Sequence, residues 1–408
     1  MTNQLDELQE LPHSWTKSKL SELCNIVYGK NLPTTQLIEN GFPVFGANGI
    51  IGFHSEYLYE QEQVMISCRG AYSGKINFSP PKVFITNNSL VLEFYSELNE
   101  TKKYFYYILQ AADRSKLVTG SAQPQVTINN AVLLDIPLPP LSEQHRIVAK
   151  LEELFTKLDV SVAELKKAKA QIKRYRQSVL KSAFEGKLKE EWRKVKIEDV
   201  SECLDYLRKP INKEERKKRV GIIPYYGANG RTGWIDNYLF DEPLVLVVED
   251  ETFIGRELPF SYKITGKSWV NNHAHILKPK KELNIDFLNY QLFYYPFTPL
   301  TTGTTGRKKL TKNALMNAEI NICSLRTQNL IVSEIERHFS VADATEKIID
   351  QSLKQAERLR QSILKDAFTG KLVPQDPNDE PAEKLLERIK AEREKKQVTV
   401  SRVRGKRT

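Results

Sequence analysis

Three short stretches hold residue types able to do chemistry, and each stops short of the pattern that chemistry requires. Gly70-Ala71-Tyr72-Ser73-Gly74-Lys75 has the glycines and the lysine of a phosphate-cradling loop. It is one residue shorter than G-x-x-x-x-G-K-[ST], and Ile76 stands where the magnesium-binding hydroxyl belongs. Ser79-Pro80-Pro81-Lys82 offers the paired prolines of an adenine-methylating Asn/Asp-Pro-Pro-Tyr/Phe motif without the aromatic ring that stacks a flipped base. Glu249-Asp250-Glu251, with Arg256 downstream, has the charges of a metal-nuclease cluster, but acidic residues after a strand are expected to face water. Cys24, Cys68, Cys203 and Cys323 form no CxxC pair and have no histidine at ligand spacing, so neither a disulfide frame nor a zinc site is expected. His273 and His275 alternate on a β-prone run and read as ordinary sheet residues. Enzymatic work is therefore expected in other chains.

The elements that would position any such residues are organised by a repeat. Arg176-Gln177-Ser178-Val179-Leu180-Lys181-Ser182-Ala183-Phe184-Glu185-Gly186-Lys187-Leu188 returns 184 residues later as Arg360-Gln361-Ser362-Ile363-Leu364-Lys365-Asp366-Ala367-Phe368-Thr369-Gly370-Lys371-Leu372, with ten of thirteen positions identical. Each block closes a long apolar-periodic run and ends on a glycine, Gly186 or Gly370, where a helix C′ residue sits. Upstream, Ile147, Leu151, Leu154, Leu158, Val162, Leu165, Ala168, Ile172, Tyr175 and Val179 recur at steps of three or four. So do Ile331, Ile335, Phe339, Ala342, Ile349, Leu353, Ala356, Leu359 and Ile363. Each run covers roughly 40 residues, about 60 Å of helix. Helices of that length bury their seams most simply against each other, and head-to-tail duplication favours an antiparallel pair related by a pseudo-two-fold axis.

Between the helices a four-part plan is written twice. Leu11-Pro12-His13-Ser14-Trp15 and Trp192 open the copies. Phe45-Gly46-Ala47-Asn48-Gly49 and Tyr226-Gly227-Ala228-Asn229-Gly230 predict hairpins, because Asn-Gly is the strongest two-residue turn signal. Val64-Met65-Ile66-Ser67 matches Val245-Leu246-Val247-Val248 as a buried strand, while the residues after it diverge. Asn87-Asn88-Ser89 and Asn271-Asn272-His273 precede a further strand in which His275 and Ile276 answer Val91 and Leu92. Thr119 to Gln125 and Thr302 to Lys309 form Thr-Gly-rich loops. Prolines at 137, 139 and 140 stop extended chain at the first helix, with Ser142 expected as its N-cap. The expected fold is α+β: two pseudo-two-fold-related mixed α/β domains, residues 1–140 and 188–324, separated by an antiparallel coiled coil of helices 141–187 and 325–371. Residues 372–408 are expected to add a short helix bearing Leu385, Leu386 and Ile389, then a disordered basic tail.

Composition agrees with that outline. At 408 residues and 40% hydrophobic content there is material for two or three cored domains. The net charge of +10 is compatible with a polyanionic partner. The acidic start, Met1 to Glu7, has no apolar core of a signal peptide, and no run approaches the ~18 apolar residues of a membrane span, so a soluble cytoplasmic protein is expected.

The alternation of variable region, long helix, variable region and long helix resembles the specificity (S) subunit of a Type I restriction-modification system over essentially the full chain. The resemblance is carried by Leu11-Pro12 with Trp15, Pro139-Pro140-Leu141 with Glu143-Gln144, both Arg-Gln-Ser-(Val/Ile)-Leu-Lys blocks running into Ala-Phe-x-Gly-Lys-Leu, and Asp376-Pro377-Asn378-Asp379-Glu380-Pro381. The second helix entrance, Cys323-Ser324-Leu325, lacks the prolines, and Trp192 is not preceded by Leu-Pro. The resemblance implies a non-catalytic reader of double-stranded DNA. Each variable region would be a target-recognition domain for half of a bipartite asymmetric site, the helices a spacer and a dock for two methyltransferase subunits. Restriction subunits would join in the full complex. It implies no cofactor or metal in this chain, with S-adenosylmethionine, ATP and Mg2+ belonging to the partner subunits. A coiled-coil scaffold that reads no DNA, and a cryptic nuclease, are the alternatives; a footprint with the methyltransferase subunits separates them.

The DNA-contacting residues expected on that reading are Arg69, Tyr72, Lys75, Gln123 and Gln125 in the first copy and Arg231, Arg307, Lys308 and Lys309 in the second. Arginine can read guanine bidentately, glutamine can read adenine, and lysine suits phosphates. Lys166, Lys167, Lys169, Lys173 and Arg174 are expected on the wet face of the coiled coil.

Overall fold

The computed structural model describes residues 11–112, 117–120, 124–184, 192–250, 253–256, 258–303 and 308–404. These form two compact units, Met1–Glu164 with Ser352–Thr408, and Leu165–Gln351. Each long helix contributes to both.

In the first unit the run Val64–Ser67 is buried on both faces of a four-stranded antiparallel sheet ordered Cys24–Tyr28, Ser89–Phe94, Val64–Ser67, Ile76–Phe78. A second sheet is built on the Asn-Gly hairpin, Phe42–Phe45 with Ile50–His54, and Phe84–Ile85 joins it in parallel. Thr16–Lys19 pairs with Asp135–Leu138 beside the start of the first long helix. Helix Lys102–Ala111 buries Tyr104, Phe105, Ile108 and Leu109 under the first sheet, and the Tyr104 hydroxyl donates to the Pro137 carbonyl at 2.7 Å. One core joins Ile66 and Leu92 of the sheet, Ile147, Leu151 and Phe155 of the first long helix and Ile363, Leu364 and Phe368 of the second. Each such side chain contributes about 1.5–3 kcal/mol by leaving water.

The second unit repeats the topology. Its four-stranded sheet runs Ser201–Cys203, Ala274–Pro279, Leu244–Val248, Ser261–Ile264. The hairpin Ile223–Gly227 with Gly230–Ile235 is again joined in parallel, by Lys267–Val270, and Arg193–Lys196 pairs with Glu319–Ile322. Leu92 faces Val64 and Leu277 faces Val245, so the copies align one residue away from the expected match of His275 with Val91. A buried strand carries no alternation to fix that register.

The long helices are Leu141–Phe184 and Leu325–Phe368, of equal length and offset by 184 residues. They pair antiparallel. In the first unit Arg360 bonds Asp159 and lies 4.2 Å over the Phe155 ring. In the second, Arg176 bonds Asp343 at 2.6 Å and Glu346 at 3.1 Å, 5.3 Å over Phe339, and Lys169 bonds Asp350 at 2.6 Å. Arg176, Asp159 and Phe155 each recur 184 residues later, so one clasp is built twice. The expected seam is corrected here: Tyr175 and Leu359 are exposed, and the arginines next to them turn inward. An arginine stem packs on a phenylalanine ring while its head meets a carboxylate, so the charged residue takes the place of the apolar one.

The helix ends follow local chemistry. Gly370 has φ +73, and Lys371 N–H reaches back to the Asp366 carbonyl at 2.8 Å, closing the second helix with a Schellman turn. Gly186 lies outside the described residues. The first helix already includes Leu141, and Gln144 N–H bonds the Pro140 carbonyl, so Ser142 sits inside the first turn and is not the cap. The second helix is capped by Ser324, whose Oγ accepts from Thr327 N–H at 3.3 Å. Gln144 and Gln328, both fully buried, donate Nε2 to the carbonyls of Pro139 (3.0 Å) and Cys323 (2.9 Å) and fix both joins alike.

The final helix, Ala382–Arg404, is longer than the short helix and disordered tail expected. After Ile389 the chain stays rich in Glu, Lys, Ala and Arg, which favour helix without needing burial. Ala382, Leu385, Leu386 and Ile389 enter the first unit's core. Glu143 accepts from Trp15 Nε1 at 2.9 Å and Gln375 Nε2 at 2.6 Å, and Arg146 grips Asp379 with both Nη atoms. In the second copy Thr327 stands in place of Glu143, and the buried Trp192 Nε1 has no partner among the described residues. Among the described residues no helix is long and apolar enough to cross a membrane.

Candidate nucleic-acid interface

In the first unit, three loops meet at the end of strand Val64–Ser67. Residues 68–75 leave the strand through Gly70 (φ +77) and return through Gly74 (φ +79), closed by Gly74 N–H to Ser67 O at 2.9 Å. Arg69 bridges Gln125 in an antiparallel pair, Val126 N–H donates to Cys68 O at 3.0 Å, and Ser73 Oγ donates to Pro124 O at 2.6 Å, which draws in the Thr-Gly-rich loop. The hairpin tip is the third: Ser67 Oγ donates to Ala47 O and Lys75 Nζ to Asn48 Oδ1. Arg69, Tyr72, Lys75 and Gln125 are therefore brought together, with Tyr72 half exposed and the Lys75 ammonium 5.8 Å from its ring centre. Gln123 lies outside the described residues. An aromatic face, two cations and an amide on one rim can stack on, neutralise and hydrogen-bond nucleic acid.

The second unit uses the same scaffold with different chemistry. Glu249 at the end of Leu244–Val248 is only 6% exposed, contrary to the expectation that this acidic run faces water. It is buried because it has partners: Arg208 Nη1, and Lys309 Nζ at 2.9 Å. Arg208 also meets Asp205 at 3.1 Å, and Asp205 Oδ2 lies 2.6 Å from His275 Nδ1. His275 Nε2 faces the Leu310 carbonyl at 2.8 Å. Both ring nitrogens thus point at acceptors, so both must carry protons, and His275 is an imidazolium rather than an ordinary sheet residue. Burial pulls its pKa down, but Asp205, Cys203 and the Leu310 carbonyl together outweigh burial and bring it up to about 9. Burial likewise pushes Glu249 and Asp205 up, and their cationic partners hold both below the usual carboxylate range. Cys203, Asp205 and His275 lie close enough to suggest a metal site. With both its nitrogens protonated, His275 has no lone pair for a metal.

This network clips the second Thr-Gly-rich loop at its base. Leu310 N–H donates to Glu249 O at 2.7 Å, and Thr302 and Lys309 exchange backbone bonds at 2.9 Å. Lys308 and Lys309 are described and Arg307 lies outside the described residues; the Lys309 ammonium is held by Glu249 and acts as a strut. Asp250 meets His273 Nδ1 at 2.9 Å. The hairpin presents Arg231, exposed and 4.3 Å over the exposed Trp234 ring. Arg256 Nη2 donates to Asn229 Oδ1 at 2.8 Å and lies 5.5 Å from the Phe260 ring.

Sequence reasoning missed the basic helix Lys213–Lys218 and its C-cap Arg219; Arg216 and Arg219 lie over Tyr225 and Trp269 at 4.9 and 4.6 Å. Its signal was available: five of the seven residues from Lys213 to Arg219 are basic, with no counterpart in the first copy.

A duplicated sheet frame, paired long helices and a different loop rim at the end of each frame define a tandem recognition module. Residues 12–172 and 189–355 match the profile of the Type I restriction modification DNA specificity domain, and the chain belongs to that family, with two tandem specificity domains. It is 23% identical to the Type I restriction enzyme EcoDI specificity subunit of Escherichia coli, over 94% of this chain and 96% of that one. It is 24% identical to the EcoBI specificity subunit of Escherichia coli, over 95% and 94%, and 27% identical to the EcoKI subunit of Escherichia coli K12, over 64% of each. Two solved structures share the fold. One chain, from work on complex assembly and conformational transition of the type I R-M system, superposes with a TM-score of 0.70 at 20% identity, covering 89% of this chain and all of that one. The HsdS subunit from Thermoanaerobacter tengcongensis gives 0.53 at 20%, covering 90% and 99%.

Proposed function

We propose that each domain, residues 1–140 and 188–324, reads one half of a bipartite, asymmetric double-stranded DNA target. On this reading helices 141–187 and 325–371 set the spacing of the halves, about one helical turn (~34 Å), and dock two methyltransferase subunits. Adenine methylation with S-adenosylmethionine, and cleavage requiring ATP and Mg2+, then belong to the methyltransferase and restriction subunits of a cytoplasmic complex. The observation that supports this best is the contrast between a scaffold kept in both units and loop rims that differ. The first rim carries Arg69, Tyr72, Lys75 and Gln125, and the second carries Arg231 and Lys308, with Lys309 as its strut; Gln123 and Arg307, which lie outside the described residues, are proposed as further contacts on the strength of their sequence positions. One frame holding two chemistries suits two dissimilar half-sites.

The test is a footprint of the chain assembled with its methyltransferase subunits. Arg69→Ala is expected to relax selectivity in one half-site and Arg231→Ala in the other, by roughly 1–3 kcal/mol at a read base pair. Relaxation of both halves by one substitution, or no sequence-specific protection by the wild type, refutes the reading.

A further inference from the structure

We propose that Asn48 and Asn229, at the tips of the two Asn-Gly hairpins, are a matched pair of contacts to DNA phosphates, oriented by Lys75 and Arg256. The proposal rests on the DNA-reading function above and names a part of the same interface that neither its sequence motifs nor its family membership assigns.

The two tips agree in detail. Gly49 and Gly230 take φ +141 and +105, values that favour glycine, with nothing within 4 Å of an added Cβ. In both hairpins the register shifts just before the tip, between Val44 and Phe45 and between Tyr225 and Tyr226. Both asparagines are exposed. Each Oδ1 accepts from a cation of the following loop, Lys75 Nζ in one unit and Arg256 Nη2 in the other. These two loops have different lengths and no common sequence, yet each delivers a cation to the same amide.

That cation decides how the amide is presented. Ammonium and guanidinium groups only donate, so the amide atom facing them must be the oxygen. The amide NH2 then points away from the cation, and among the described residues it has no hydrogen-bond partner in either unit. A free asparagine can present a donor and an acceptor together, which is what reading adenine requires. With its oxygen turned to the cation, each tip directs its donors outward.

Several parts of a duplex accept without donating: the phosphate oxygens, the N7 and O6 edge of guanine, thymine O4, and the N3 and O2 atoms of A·T pairs in the minor groove. The repeat favours phosphate. The tips match while the rims around them differ, and what two unlike half-sites have in common is the backbone. A neutral amide there fixes the height and register of each domain on the duplex, and leaves base choice to the neighbouring loops.

The experiment measures duplex affinity, by fluorescence anisotropy, of the full chain assembled with its methyltransferase subunits. The variants are Asn48→Ala, Asn229→Ala, their combination, and Asn48→Asp. Asp-Gly keeps the hairpin turn and still accepts from Lys75, so the last variant preserves the fold while it turns the outward donor into an acceptor and adds one negative charge. Each alanine variant is expected to weaken binding about tenfold, the combination about a hundredfold, and Asn48→Asp more than Asn48→Ala. The losses should be equal on cognate and non-cognate duplexes, and for the alanine variants the slope of log affinity against log salt should stay unchanged, because they remove no counterion-releasing charge. A tenfold change in the cognate to non-cognate ratio overturns the phosphate assignment in favour of a base edge. Alanine variants that bind like wild type overturn the contact altogether, and do so even if Asn48→Asp weakens binding through charge repulsion. In either case a wild type that still discriminates its cognate duplex leaves the DNA-reading function standing, whereas a wild type that does not discriminate removes that function and the proposal together.

Discussion

Glu249→Gln is the perturbation that most directly probes how the second recognition domain holds its loop. Glu249 lies between Arg208 and Lys309, with His275 Nδ1 3.8 Å away. The side chains of Arg208, Asp205 and His275 are 15%, 8% and 2% exposed, so solvent screens them little. Removing the one charge leaves Arg208 and an imidazolium facing Asp205 alone. Breaking a buried pair in this way costs about 3–5 kcal/mol, while the half-exposed Lys309 adds little. For a unit the size of Leu165–Gln351 that corresponds to a melting shift of about 6–20 °C. The assay is differential scanning calorimetry of the full chain, following the transition of this unit. Adding Arg208→Gln restores the charge balance, so the double variant should lose at least about 1 kcal/mol less than the two single losses combined. A shift under 2 °C for Glu249→Gln, or strict additivity in the double variant, would refute the account of the network as a mutually dependent buried cluster.

Three further outcomes follow from the same geometry. Arg176→Ala and Arg360→Ala should each cost about 1 kcal/mol in urea unfolding, since each loses a part-exposed ion pair and a ring contact, and the losses should add because the clasps share no residue; a neutral result at either position contradicts the clasp. Gly370→Ala should destabilise by more than about 1 kcal/mol, because φ +73 is strained for alanine and its Cβ would meet Pro12 Cγ at 2.4 Å; unchanged urea stability would argue against the Schellman turn. His275 has a folded pKa raised from 6.5 to about 9, so its stabilisation is fully present below pH 6.5 and is lost as pH rises through about 9. The second unit should therefore melt lower at pH 9.5 than at pH 6.5, a difference that His275→Gln should diminish; a wild-type unit that melts higher at pH 9.5 would reverse the sign and exclude the imidazolium.

The sequence made the frame legible where local chemistry acts alone. Asn-Gly pairs fixed the hairpins, Gly370 the end of a helix, and apolar residues at steps of three or four the long rods. It misjudged features that depend on distant residues. Glu249 reads as a wet acid until Arg208 is brought beside it, 41 residues away. His275 becomes ionised only through Asp205 and the Leu310 carbonyl. Tyr175 and Leu359 were expected in the seam because hydropathy ranks them above arginine, whereas the ring beneath Arg176 and Arg360 reverses that order. Of the interface, the convergence of Arg69, Tyr72 and Lys75 follows from their nearness in sequence. The arrival of Gln125 needed an isolated bridge across 56 residues, and the orientation of Asn48 and Asn229 needed a cation from another loop.

The reciprocal arginine clasp has one more implication. Each rod offers a guanidinium and receives one, at positions 184 apart, so the handshake is self-complementary. A truncated product carrying one reader and one rod would hold both halves of that grip, and two copies could satisfy each other without a new contact. Such a homodimer would present identical readers and select a palindrome. On the proposed function, asymmetry of the target would thus be a property of having both readers on one polypeptide, not of the way the rods embrace.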